Sequence, residues 1–173
     1  MSKNGEKMDY TYDVIVIGAG LLGNFTARSL MRYDLKVAVL EKNPDVCMEI
    51  SRANTAVVYP GYDNKPGSLK TKLLLRSNKR FEKLCEELDT SFSRCGSLMV
   101  CYGEKGAAVL KKKYNQGLEN GLSNLKLLSK EEALNLEPNL SDEIHMALYS
   151  PDTGTVNPWE LGIAAAENAV ENG

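Results

Sequence analysis

A chain of 173 residues, 43% hydrophobic and 25% charged, has the size and composition of a soluble globular protein with a real core. Its formal charge of −2 gives no electrostatic reason to expect nucleic acid or an anionic membrane as partner. No apolar run reaches the ~18 residues of a transmembrane segment, and a single histidine restricts the chemistry the chain can do unaided.

Residues 1–11 are polar, contain Gly5 and read as a flexible tail. Asp13-Val14-Ile15-Val16-Ile17 is a short β-branched run of the kind that a strand covered on both faces requires. Gly18-Ala19-Gly20 turns the chain into a helix over residues 21–32, and Lys36-Val37-Ala38-Val39-Leu40 is a second buried strand. Strand, helix and strand within about 30 residues make a βαβ unit. Pro44, Pro60-Gly61 and Pro66-Gly67 mark a stretch of turns. A long helix is then predicted over residues 68–88, with Leu69, Leu73, Phe81, Leu84, Cys85 and Leu88 as one apolar stripe.

A strand is expected over residues 96–101 and a helix over 107–118, stopped by Asn120-Gly121. Ser129-Lys130-Glu131-Glu132 has the spacing of a capping box, and the short helix it opens must end before Pro138. A strand over 147–150 precedes Asn157-Pro158-Trp159-Glu160, which opens a last helix running to Asn172-Gly173. A parallel sheet would need another strand straight after that helix, so the chain reads as a fragment. Cys47, Cys85, Cys95 and Cys101 form no C-x-x-C pair and are read as reduced thiols in a cytoplasmic protein.

These elements predict an α/β fold: a Rossmann-like FAD/NAD(P)-binding βαβ unit with an inserted α+β substrate region, its sheet incomplete. The nucleotide domain is discontinuous, from residues 12–60 and 156–173, and residues 61–155 form part of a substrate domain. Gly18-Ala19-Gly20-Leu21-Leu22-Gly23 matches G-x-G-x-x-G at a strand-to-helix junction, with an acid, Glu41, ending the next strand. Gly18 permits the tight turn, Gly20 admits a pyrophosphate to the helix's N-terminal amides, and Gly23 allows close packing of helix on sheet. Glu41 is placed to accept from ribose hydroxyls and would repel a 2′-phosphate. The glycines alone also suit an ordinary α/β turn, and they do not separate FAD from NAD.

Ser51-Arg52-Ala53-Asn54-Thr55-Ala56-Val57-Val58-Tyr59-Pro60-Gly61-Tyr62-Asp63 resembles the second motif of D-amino-acid-oxidase-like FAD oxidoreductases. Within them it is similar to the branch of FAD-dependent glycerol-3-phosphate dehydrogenases and L-2-hydroxyglutarate oxidases. Lys65-Pro66-Gly67-Ser68-Leu69-Lys70, Cys95-Gly96-Ser97-Leu98 and Asp152-Thr153-Gly154-Thr155-Val156-Asn157-Pro158 extend the resemblance over nearly the whole chain from Asp13.

The resemblance implies FAD as cofactor, with Gly18, Gly20, Leu22 and Gly23 on the pyrophosphate and Glu41 with Lys42 at the adenosine ribose. Ser51, Asn54 and Thr55 would line the path towards the isoalloxazine; from the residues alone they equally suit a loop satisfying its own backbone. Tyr59 stands where close relatives usually carry a histidine. It can donate a hydrogen bond to a substrate carboxylate or to the flavin, or serve as an amphipathic packing residue. His145 is read as structural rather than catalytic, and Lys65, Lys70 and Lys72 as a solvated face or an attractor for anionic substrate.

The implied reaction is oxidation of an α-hydroxy compound by hydride transfer to flavin N5, a base taking the hydroxyl proton. The substrate would be a small anionic hydroxy acid or polyol phosphate, and the electron acceptor is not specified by these motifs. Should that acceptor be a quinone, the protein would sit at a membrane surface. Two alternatives stand beside this reading: an amine or amino-acid oxidase of the same superfamily, and an inactive truncated nucleotide-binding fragment.

Overall fold

The structure, a computed structural model, describes residues 11–173, so the predicted tail lies, Thr11 apart, outside the described residues. In chain order the first elements are β1 (Val14–Ile17), α1 (Leu21–Leu30), β2 (Val37–Leu40), β3 (Val57–Val58), α2 (Leu69–Asn78), α3 (Phe81–Glu87) and β4 (Phe92–Ser93). Then come β5 (Ser97–Cys101), α4 (Gly103–Glu119), β6 (Lys126–Ser129), α5 (Lys130–Leu136), β7 (Met146–Ser150), β8 (Gly154–Val156) and α6 (Pro158–Glu171). They form two compact units. One comprises the chain up to Thr55, Leu88–Thr90 and Pro158–Gly173; the other comprises Ala56–Glu87 and Ser91–Asn157.

In the first unit β1 and β2 pair in parallel, Val14 opposite Val37 through to Ile17 opposite Leu40. Helix α1 is the crossover between them. It packs on α6 through small residues, Ala27 on one side and Gly162, Ala165 and Ala169 on the other. At Gly162 there is no room for a side chain, since a Cβ there would stand 2.3 Å from the Cys47 Sγ. Among the described residues the sheet has these two strands, and Ile15, Ile17 and Leu40 are exposed on it. A doubly covered parallel sheet is therefore not what the described residues complete.

The second unit holds two antiparallel sheets, β3-β8-β4 and β5-β7-β6. Alternation along β7 serves two cores, because successive side chains leave a strand on opposite faces. Leu148 joins Leu110, Leu122, Leu125 and Tyr62, whereas its neighbour Ala147 joins Leu128, Ala133 and Ile144. The predicted capping box forms: the Ser129 Oγ accepts from the Glu132 N–H at 3.2 Å, and the Glu132 carboxylate accepts from the Ser129 N–H at 2.8 Å. Helix α5 ends before Pro138.

One predicted element is corrected. The single helix expected over 68–88 is two helices, interrupted after Asn78. The cause is tertiary. Arg94 donates through Nη2 to the Asn78 carbonyl at 3.4 Å, an acceptor that a continuing helix would offer to residue 82. The Asn78 side chain is drawn into the unit as well, donating to the Asp152 carbonyl at 2.9 Å and accepting from Arg94 Nη1 at 3.2 Å. The predicted apolar stripe breaks with the helix: Leu69 and Leu73 are 72% and 56% exposed, while Cys85 is buried. Helix α4 also starts earlier than predicted, at Gly103.

Candidate functional site

The turn between β1 and α1 belongs wholly to the first unit. Gly18 has φ +99°, a left-handed value that favours glycine. Gly20 is the N-cap of α1 and offers no side chain to cap it. The cap comes instead from 30 residues along the chain: the Ser51 Oγ accepts from the Leu21 N–H at 3.0 Å. A Cβ on Gly20 would lie 3.0 Å from that oxygen, and one on Gly23 only 1.8 Å from the Gly18 carbonyl oxygen. All three glycines of the fingerprint thus have a steric reason in the structure.

Glu41, one residue past β2, reaches back to the same turn. One carboxylate oxygen accepts from the Ala19 N–H at 2.8 Å, the other from the Asn43 N–H at 2.9 Å and its side-chain amide at 3.0 Å. The backbone N–H groups of Asn43 and then Ala19 hold the Glu41 carboxyl below the usual carboxylate range, so it is ionised at neutral pH. Next to it, Lys42 pairs with Glu49 at 2.6 Å. That contact pushes the lysine up and the glutamate down, which fixes both charges.

These groups line a cleft of about 380 Å³ with the floor of the turn, Gly18 and Gly20, and with Leu40, Cys47 and Ser51 on its sides. Anions are favoured at a helix N-terminus, whose first N–H groups have no partner within the helix. The glycine-cleared approach to α1, a hydroxyl at its cap and an acceptor carboxylate beside the turn fit a diphosphate joined to a sugar.

Of the predicted site residues, Gly18, Gly20, Glu41, Lys42 and Ser51 line this one cleft. Gly23 lies one turn deeper under the turn, and Leu22 is exposed at the first turn of α1. The Asn54 side chain donates to the Ser51 carbonyl at 2.8 Å, bracing the segment that carries the cap, and Thr55 is the exposed last residue of that segment. Tyr59 belongs to the second unit and is half exposed. His145 stands 3.5 Å from Glu104 at the surface of that unit.

Sequence reasoning missed three residues here. Asn24, almost fully buried, donates to the Ala19 carbonyl at 3.2 Å and the Gly162 carbonyl at 3.0 Å, tying the turn to α6. An amide one residue after the last glycine, on the face that carries Ala27, was the signal. Cys47 has φ +57° and donates its N–H to the Ala19 carbonyl at 2.9 Å; burial pushes its thiol up, so it stays protonated. Nothing in its sequence context announces this. Glu49 is the third, and its role depends on an ion pair that spacing does not reveal.

The sequence model of the family described as "DAO: FAD dependent oxidoreductase" matches residues 13–173. Glycerol 3-phosphate dehydrogenase of Caloramator mitchellensis is 48% identical over 162 residues, which is 94% of this chain and 34% of that protein. Mitochondrial L-2-hydroxyglutarate dehydrogenase of Dictyostelium discoideum is 33% identical over 163 residues, 92% of this chain and 36% of that protein. Among solved structures, dithionite-reduced L-alpha-glycerophosphate oxidase from Mycoplasma pneumoniae with FAD bound aligns with a TM-score of 0.88 at 30% identity, covering 94% of this chain and 43% of that one. Glycine oxidase from Geobacillus kaustophilus aligns with a TM-score of 0.85 at 27% identity, covering 94% and 45%. The chain spans about a third of the length of the curated relatives it matches.

Proposed function

The chain belongs to the DAO family of FAD-dependent oxidoreductases, and from that premise we propose that its first unit grips the adenosine diphosphate half of FAD in a protein that oxidises a small anionic α-hydroxy compound, glycerol 3-phosphate foremost. One observation carries the reading: a glycine-cleared helix start and the Glu41 carboxylate meet within one cleft, 22 residues apart in sequence and joined through the Ala19 N–H. The 48% identity to a glycerol 3-phosphate dehydrogenase supports the substrate class.

In this reading the N–H groups around Gly18, Gly20, Leu22 and Gly23 hold the diphosphate, and Ser51 turns its hydroxyl hydrogen to a phosphate oxygen. Glu41 exchanges its Ala19 or Asn43 partner for the ribose hydroxyls, with Lys42 beside it. Asn54 and Thr55 continue the polar path, and Tyr59 donates a hydrogen bond to the cofactor or, where the substrate is a hydroxy acid, to its carboxylate. When bound, FAD supplies the two-electron acceptor that no side chain of the chain can provide. A cytoplasmic location, at a membrane surface if a quinone is the acceptor, belongs to the same proposal. Among the described residues, no helix is long and apolar enough to cross a membrane.

A second reading, oxidation of an amine or amino acid, draws on the likeness to glycine oxidase. The purified protein is expected to be yellow, and anaerobic glycerol 3-phosphate to bleach it while glycine does not. Bleaching by glycine alone transfers the proposal to the second reading. Colourless protein that takes up neither FAD nor ADP on titration overturns both and leaves a non-catalytic chain.

A further inference from the structure

The cleft has an uneven charge pattern. Among the described residues that line it, Lys42 is the one cation, against two carboxylates, Glu41 and Glu49. Asn43 ties the two acids together, its side-chain amide lying 3.0 Å from a Glu41 oxygen and 3.5 Å from a Glu49 oxygen. Lys42 follows Glu41 directly and is therefore the cation nearest in the chain to any sugar that Glu41 holds. Its ammonium is spent on Glu49, at 2.6 Å.

A nucleotide 2′-phosphate carries up to two negative charges and needs a cation beside the ribose. Building on the nucleotide-site reading above, we infer that Glu49 is a specificity-determining residue: by holding Lys42 in an ion pair it leaves the ribose end of the cleft without a cation to offer, and so excludes 2′-phosphorylated nucleotides. Glu41 repels such a phosphate directly. Glu49 removes the compensation that the neighbouring lysine would otherwise provide. The pair is exposed on both sides, so the effect is modest, and it weakens with salt.

The test measures displacement of FAD from the whole chain by 5′-AMP and by adenosine 2′,5′-bisphosphate, two probes that differ only in the 2′-phosphate. In Glu49→Gln the ratio of inhibition constants, bisphosphate over monophosphate, is expected to fall about fivefold, the size of effect an exposed charge exerts. In Lys42→Met/Glu49→Gln the ratio should return to that of the parent chain, and high salt should erase the difference. An unchanged ratio in Glu49→Gln overturns the inference. So does a ratio that stays low in the double variant, which would assign the effect to the lost carboxylate and not to a released lysine. Failure of the parent chain to bind FAD at all overturns the nucleotide-site reading beneath it, a distinct result.

Discussion

The two units of the chain are held together by opposite means. In the second, bulky side chains fill space: Leu110, Leu122, Leu125 and Leu148 gather on one face of β5-β7-β6, and Leu128 with Ile144 on the other. In the first, side chains are missing where contact is closest. Gly23 lies on the Gly18 carbonyl, Gly162 on Cys47, and Ala27, Ala165 and Ala169 line the α1–α6 contact. Bulk supplies apolar burial; absence brings backbone within reach of backbone, and of a ligand. On the sheet of the first unit Ile15 and Ile17 are exposed.

The largest effect that would break this contrast is at Gly23. Gly23→Val places a branched side chain where even a Cβ would be 1.8 Å from the Gly18 oxygen. FAD affinity should fall roughly a hundredfold or more, since several hydrogen bonds to a charged group are lost at about 1.5–3 kcal/mol each. Isothermal titration checks it, and retained affinity would mean that the turn yields where the geometry says it is rigid.

Leu148→Ala probes the bulk-filled unit. It should cost about 2–5 kcal/mol of stability, as fully buried leucines do, and appear as a lower urea midpoint at unchanged slope. A cost below ~1 kcal/mol would show that this core collapses around the gap and that its packing is less specified than its leucines suggest.

A smaller effect, confined to the first unit, follows from acid. The carboxyl of Glu41 is held below its ordinary value of 4.5 by N–H donors of the folded chain. A depressed carboxylate adds stability that is fully present above the unfolded value and is lost as the pH falls through the folded one. The β1–α1 turn should therefore loosen below about pH 4.5, and Glu41→Gln should flatten that dependence. Hydrogen exchange at the Ala19 amide against pH reads it directly. Equal acid sensitivity in the variant would remove Glu41 from the account.

Much of the first unit was legible in the sequence, because its rules are local. A β-branched run, three spaced glycines and an acid after the next strand describe a turn within 41 residues, and the structure draws it. The capping box at Ser129 was equally readable. What escaped depends on partners distant in sequence. The break at Asn78 comes from Arg94 and Asp152, 16 and 74 residues away. The two-residue strands β3 and β4 exist only as neighbours of β8 and carry no pattern of their own. Asn24 looked like a polar residue in a helix until α6 supplied the Gly162 carbonyl. Gly20, Glu41 and Ser51 were readable as candidates, and they line one cleft; that Ser51 caps α1 was not readable.

That cap has a bearing on how the protein is made. When the ribosome has released β1, α1 and β2, the amide of Leu21 still lacks its acceptor, since the hydroxyl that meets it is encoded 30 codons later. The start of α1 is finished only after the intervening loop has emerged and folded back.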